Sequence, residues 1–344
     1  MQQRKISLDI MKIFAIFWVI YTHIGFDCNE MFAPESSTVN YVISCLLGIF
    51  CRVAVPIFFM ASGALLLNKN ESYKVIFKKR VFRFAVVLFV ISAVVYLVQW
   101  NNHSIMGFFS ALYTYKAAPS LWYLYSFLEL LLLLPFLRKI AQAMSKKDYL
   151  YYFILQVLFV TIFPTFETAT GIPGINLTIV LTTRNIFYFM MGHFFMNVAD
   201  KSFYSKKNLL ILNIGAVLFI AACFVYLSVF YTKGGVVTSE DIDVPLFAFI
   251  SVPTFAVFFD IKYIFDRITV KERTAKVLKG ISTATFGVYL IQGMFINYTQ
   301  PIAEYLSSAL PAVVSGLVYT IFVTVACTLI IIPIRNLPLI KKFI

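Results

Sequence analysis

Ten stretches of this chain are each long and apolar enough to cross a bilayer, and nothing else in the sequence constrains the fold so strongly. They fall at about residues 10–27, 41–67, 84–100, 119–137, 149–166, 179–198, 208–231, 245–262, 281–299 and 312–334. Each is close to the roughly 20 residues a helix needs to span about 30 Å of hydrocarbon. A backbone crossing lipid must satisfy its own polar groups, so stretches of this length read as helices. The expected fold is all-α: a polytopic integral membrane protein of about ten transmembrane helices, built as one membrane domain over residues 1–344. Composition agrees, with 60% hydrophobic and only 13% charged residues, about half the charged share of a soluble protein.

The net charge of +13 would ordinarily point to an acidic partner such as nucleic acid, but its placement argues otherwise. Alternate gaps hold 25 of the 29 Lys and Arg residues, and the opposite gaps hold only Lys116 and Lys233. The opposite gaps also carry eight of the sixteen acids, including Glu240, Asp241 and Asp243. Cytoplasmic loops collect Lys and Arg, so both termini are expected in the cytoplasm of a multi-pass protein of the cell membrane. The basic charge is then topological, contacts membrane lipid and needs no nucleic acid. The segment FDCNEMFAPE after the first apolar run reads as a loop without a small-x-small cleavage site, so the first helix is expected to be retained. Cys45, Cys51, Cys223 and Cys327 fall in apolar runs and read as small buried residues, whereas Cys28 should reach the outer surface.

Ionisable residues inside the apolar runs are the candidates for function, because charge in hydrocarbon is costly. Lys12 and His23 lie eleven helical steps apart in the first run, so they share a face and stand about 16 Å apart along the axis. Asp9 is one turn from Lys12 and close enough to pair with it. Two readings stand: a functional stripe, or a snorkelling Lys12 with His23 at the outer end. Arg52 lies mid-span, four residues before Pro56, which should kink the helix or free a carbonyl. An Arg at that depth costs at least about 2.5–3.5 kcal/mol on insertion scales and needs a partner or a wet cavity. Glu129, mid-span in LWYLYSFLELLLLLP, is the expected counter-ion, whether the pair acts in chemistry or merely pins two helices. Arg184 enters its span from the outer side and either snorkels or faces the same cavity. His193 reads as a packing histidine and His103 as a loop residue, and three such scattered histidines make no metal signature. In the gap KKRVFRF, Arg80 and Arg83 point the same way with Lys78 and Lys79 beside them. Such guanidinium forks suit a phosphorylated ligand or, more blandly, anionic lipid.

Six fragments in order resemble the acyltransferase-3 family of bacterial membrane acyltransferases. LDIMKIFAIFWVIYTH resembles the family's basic residue-x10-His motif, with Lys12 and His23 in the two places. RVAVPIFFMASGALLL resembles the second-helix block ending in Ser-Gly, and RVFRF the R-x-x-R pair. LWYLYSFLELLLLLPFL, FYFMMGHFF and TFGVYLIQGMFI resemble the later blocks. The resemblance implies transfer of an acyl group from cytoplasmic acyl-CoA, acetyl-CoA foremost, to a hydroxyl of an envelope glycan, glycolipid or similar acceptor. It implies His23 as base or acyl acceptor, with Lys12 and Arg52 as its electrostatic partners and Arg80 and Arg83 as donor-binding residues; Glu129, the counter-ion expected for Arg52, joins the catalytic candidates, and no metal is expected. Two departures stand out. The late block often ends in His where this chain has Gln292, which hydrogen-bonds but cannot shuttle protons. Phe127 and Leu128 occupy the places of the paired acids some members carry before Glu129. Many relatives carry a C-terminal hydrolase-like domain, so a unit ending at Ile344 is expected to act alone, as a homo-oligomer or with a separate extracytoplasmic partner. The rivals are an exporter of polysaccharide or lipid-linked sugar with Arg52, Glu129 and His23 along its path, and a catalytically silent receptor domain.

Overall fold

The computed structural model describes residues 6–24, 38–99, 104–114, 121–172, 183–230, 250–338 and 340–343, and among these no strand occurs. The helices, in chain order, are α1 (Ile6–His23), α2 (Thr38–Cys51), α3 (Ala54–Leu66), α4 (Phe82–Gln99), α5 (Ile105–Tyr113), α6 (Trp122–Ala143), α7 (Lys146–Gln156), α8 (Phe163–Thr170), α9 (Arg184–His193), α10 (Lys206–Phe230), α11 (Ser251–Phe265), α12 (Glu272–Tyr298), α13 (Gln300–Ala309) and α14 (Ala312–Ile334). A π-helical turn, Phe77–Val81, feeds α4, and a second, Val157–Ile162, joins α7 to α8. Cys28, His103, Lys116, Lys233 and the Glu240, Asp241, Asp243 cluster lie outside the described residues.

The described parts of all ten apolar stretches lie mostly on helices, but six helices among the described residues are long and apolar enough to cross a membrane: Ile6–His23, Val42–Leu66, Tyr73–Val98, Lys146–Glu167, Lys206–Tyr226 and Ala312–Ile334. The count of ten therefore does not follow from helix length and composition. The reason is local. α6 carries Glu129, Arg138 and Lys139, the first half of α12 carries four charged residues, and the described parts of α9 and α11 are short.

Burial sorts these helices into a centre and a lipid-facing rim. α1 buries a continuous stripe, including Leu8, Met11, Ala15 and Val19 at three- and four-residue spacing, and packs against α3, α11, α12 and α14. On α10, Leu210, Val217, Leu218 and Val225 are all more than half exposed. An apolar helix with its outer face bare would be unstable in water and is at home in lipid.

The tightest crossing joins α3 to α9. A Cβ on Gly63 would collide with the Phe189 carbonyl, and a Cβ on Gly192 with that of Met60. Two glycines placed reciprocally let the two backbones touch, the usual device where helices associate within lipid. At the end of α3, Arg138 Nε donates to the Leu66 carbonyl at 2.9 Å and Gln142 to that of Leu67 at 2.8 Å. Side chains of α6 thus satisfy carbonyls that a helix end leaves bare. The four described cysteines are free and buried, as their apolar settings imply. His193 is buried with Nδ1 2.9 Å from the Tyr149 hydroxyl, a packing histidine.

Candidate active site

Two cavities meet along α1. The upper one, about 120 Å³, is lined by Thr22, His23, Arg52, Trp122, Arg184 and Tyr188, among others. The lower one, about 350 Å³, is lined by Lys12, Lys79, Arg80 and Arg83 beside an aromatic wall of Phe58, Phe84, Phe127 and Phe286. Val19 and Val55 belong to both.

The ring of His23 is held in a definite state. Its Nδ1 lies 2.7 Å from the Val19 carbonyl oxygen, which also accepts a 2.7 Å bond from the Thr22 hydroxyl. A carbonyl can only accept, so Nδ1 carries a proton, which leaves Nε2 as the basic nitrogen whenever the ring is neutral. Gln292 is fully buried with its amide nitrogen placed 3.4 Å from Nδ1. Two N–H groups cannot bond each other, so the amide belongs with its oxygen toward Nδ1. That orientation also gives a donor to Oε1, otherwise buried without one.

Arg52 reaches the cavity because the chain turns at Arg52–Val53, between α2 and α3. Pro56 has no N–H to give the Arg52 carbonyl, which is what a proline four residues on should do. Arg184, the first residue of α9, lines the same cavity with Asn185 and Tyr188. His23, Arg52 and Arg184 are therefore brought together.

Two expected members of this group stand elsewhere. Lys12 lines the lower cavity: it shares a face with His23, but three turns separate them. Glu129 is exposed on α6, lines neither cavity, and takes no part in the described ion pairs, so the expected pairing with Arg52 is not formed. The cause is rotational. Phe127 and Leu131 of α6 face the lower cavity, and two residues along a helix is a turn of about 200°.

Arg80 and Arg83 do share the lower cavity, with Lys79. Arg80 grips Glu71 through both Nε (2.8 Å) and Nη2 (2.6 Å), and Arg138 Nη2 meets the same carboxylate at 2.8 Å. The paired guanidiniums, Arg80 foremost, hold the Glu71 carboxyl down at about 2. Arg83 Nε donates to the Phe343 carbonyl at 2.8 Å. Below, Ser282 closes onto the buried Asp9 at 2.6 Å.

Sequence gives no sign of Asn185 and offers Arg184 only as one of two alternatives, while Thr22, Trp122 and Tyr188 fall inside quoted fragments with no role assigned to them. Fragments of the resemblance did mark several wall residues: Ser62 precedes the crossing glycine, Tyr123 follows Trp122, and Thr285, Phe286 and Tyr289 fall in TFGVYLIQ. Among the described residues no group of three or more His, Cys, Asp or Glu is placed to hold a metal ion.

A family model described as an acyltransferase domain matches residues 5–333. No curated protein and no solved structure matches the chain.

Proposed function

Since the chain belongs to the acyltransferase-3 family and is a membrane protein, we propose that it transfers an acyl group, acetyl foremost, from cytoplasmic acyl-CoA to a hydroxyl of an envelope glycan or glycolipid. In this reading it sits in the plasma membrane with ten crossings and both termini in the cytoplasm. The donor enters the lower cavity, where Lys12, Lys79, Arg80 and Arg83 suit its phosphates and the aromatic wall suits its pantetheine arm. The acyl group reaches past Val19 and Val55 to His23.

One observation carries the reading: an imidazole whose Nδ1–H is tied to a carbonyl lines a cavity with two arginines, and that cavity shares two wall residues with a larger, basic one. Nε2 takes the proton of the acceptor hydroxyl as its oxygen attacks the thioester carbonyl. Arg52 and Arg184 stabilise the oxyanion that forms. As the C–S bond breaks, the proton passes from Nε2 to the departing thiolate, leaving an ester and free CoA. Gln292 keeps the ring in the required tautomer without entering the proton transfer.

The test gives the purified protein acetyl-CoA labelled in the acetyl group, together with an envelope glycan fraction. Label is expected in the glycan as an alkali-labile ester. Movement of glycan into proteoliposomes without label transfer would replace the enzyme with an exporter.

A further inference from the structure

A third cavity, about 380 Å³, lies between α6 and residues 69–76 and shares no wall residue with the two along α1. That size falls in the range of roughly 300–1,000 Å³ usual for ligand sites. Its charged wall residues are Lys69, Glu71, Arg138 and Lys139. Glu71 is taken up by Arg80 and Arg138, and that cluster as a whole keeps a positive charge. Lys69 and Lys139 are exposed and have no hydrogen bond or ion pair among the described residues. Arg138 is 5% exposed and spends Nε on the Leu66 carbonyl and Nη2 on Glu71, while Nη1 is buried with no acceptor among the described residues. A buried charged donor left without an acceptor is costly. The cavity therefore has cations in excess and lacks an anion.

Its surroundings name the source of that anion. On α6, Phe136 lies one turn from Lys139 and Ile140 is next to it, and both are exposed. On the other wall Tyr73 is exposed, as is Phe77 one turn further along. Bare apolar side chains on spanning helices face lipid, and lysines and tyrosines in such settings sit at headgroup level. Basic pockets between membrane helices on the Lys- and Arg-rich side hold anionic headgroups. We propose that the third cavity binds the headgroup of an anionic phospholipid from the surrounding leaflet. Lys69 and Lys139, beside Arg138, hold the phosphate, and the acyl chains run along Phe77 and Phe136. The site is independent of the proposed acyl transfer, since it uses none of the residues assigned to donor or chemistry.

Titration of the full chain in neutral-detergent micelles tests it, with dioctanoyl-phosphatidylglycerol against dioctanoyl-phosphatidylcholine. The anionic lipid is expected to bind about tenfold or more tightly than the zwitterionic one. Lys69→Gln with Lys139→Gln removes two exposed, unpaired charges, so the fold should stand, and should abolish most of that preference. Lys206→Gln with Lys207→Gln removes two exposed charges at the start of α10, away from the cavity, and should leave the preference intact. Equal binding of the two lipids, or equal loss in both double mutants, would overturn the site. Glycerol 3-phosphate and CoA in the same titration separate soluble phosphates from lipid. Either one binding as tightly as phosphatidylglycerol and weakening with Lys69→Gln, Lys139→Gln would reassign the cavity to a soluble ligand and overturn the lipid.

Discussion

The two cavities touch across Val19 and Val55, yet they are assembled on different plans. The lower one is wide and walled mostly by aromatic and aliphatic side chains, with four basic residues from α1, the π-helical turn before α4 and the first turn of α4. The upper one is about a third as large and concentrates its polar groups where α1, α3, α6 and α9 meet. Width and apolar walls suit a long, flexible arm whose charged end stays outside. A small cavity crowded with an imidazole and two guanidiniums suits a reacting centre, because such groups act most strongly where water is excluded. In the proposed transfer, binding and chemistry fall to different cavities, and mutations should separate them.

The largest effect is expected from His23→Ala. Removing a general base typically costs about 10²–10⁴-fold in rate. Acyl transfer should fall by that much or vanish, with CoA binding, membrane insertion and thermal stability nearly unchanged. Substantial turnover in a folded His23→Ala protein would take His23 out of the mechanism. Next comes the shared wall. Val55→Phe should narrow the passage and leave donor bound but misplaced, at a cost on the order of 10² in kcat. Calorimetry with CoA and a transfer assay on the same sample check this; parallel loss of binding and rate would mean one undivided site.

Arg80→Ala with Arg83→Ala should weaken CoA binding far more than acceptor binding. Each lost charge-assisted contact is worth about 1.5–3 kcal/mol, roughly ten- to a hundredfold. The structure also separates the two residues. Arg80 is engaged by Glu71 on both forks, whereas Arg83 meets a backbone carbonyl. Arg80→Ala alone should therefore lower stability as well, and Arg83→Ala should act on the donor. Titration showing undiminished affinity in the double mutant would reduce the pair to topology signals.

How much of this was legible depends on the kind of signal. His23, Lys12 and Arg52 stand out because ionisable residues are rare in apolar runs, and such rarity is readable without any structure. The helical character of the ten stretches was readable for the same reason: lipid leaves a backbone few choices. What sequence could not supply was azimuth between helices. It measured Lys12 and His23 onto one face correctly, but the face runs past Val19 from one cavity into the other. Asn185 gives no warning, and Trp122 and Tyr188 sit in quoted motifs without standing out, because aromatic and small polar residues are common throughout the chain. The reciprocal glycines Gly63 and Gly192 were present as letters in two motifs, and only the crossing of α3 and α9 shows why they are there.

A smaller effect follows from the ion cluster beside the lower cavity. The Glu71 carboxyl is held at about 2, against an ordinary 4.5, chiefly by its bonds to Arg80. A depressed carboxyl stabilises the folded state fully above the unfolded value and loses that contribution as pH falls through the folded one. The thermal midpoint of Glu71→Gln should therefore lie below the parent's at pH 7, and the gap should close between about pH 4.5 and 2. A gap that persists to the acid end would assign the loss to packing.

The smallest effect expected is the coupling between Arg52 and Glu129. Measured along their helices the two lie at similar depth, which is why they look like partners. Depth is only one coordinate. Glu129 shares its face of α6 with Leu132, Phe136 and Ile140, all exposed, while Arg52 lines the cavity beside His23. Breaking a buried ion pair on one side costs about 3–5 kcal/mol, and replacing both members costs less. For residues that do not touch, losses add within about 0.5 kcal/mol. A cycle of Arg52→Met, Glu129→Leu and the double mutant should therefore show additivity. Glu129→Leu should keep acyl transfer and leave stability unchanged or slightly raised, since a carboxylate on a lipid-facing stripe is itself costly. Arg52→Met should abolish transfer in either background, because its charge faces the reacting centre. A coupling energy of about 1–3 kcal/mol would reinstate the pair and draw Glu129 into the upper cavity, whereas transfer surviving Arg52→Met would leave Arg184 as the one guanidinium serving the oxyanion.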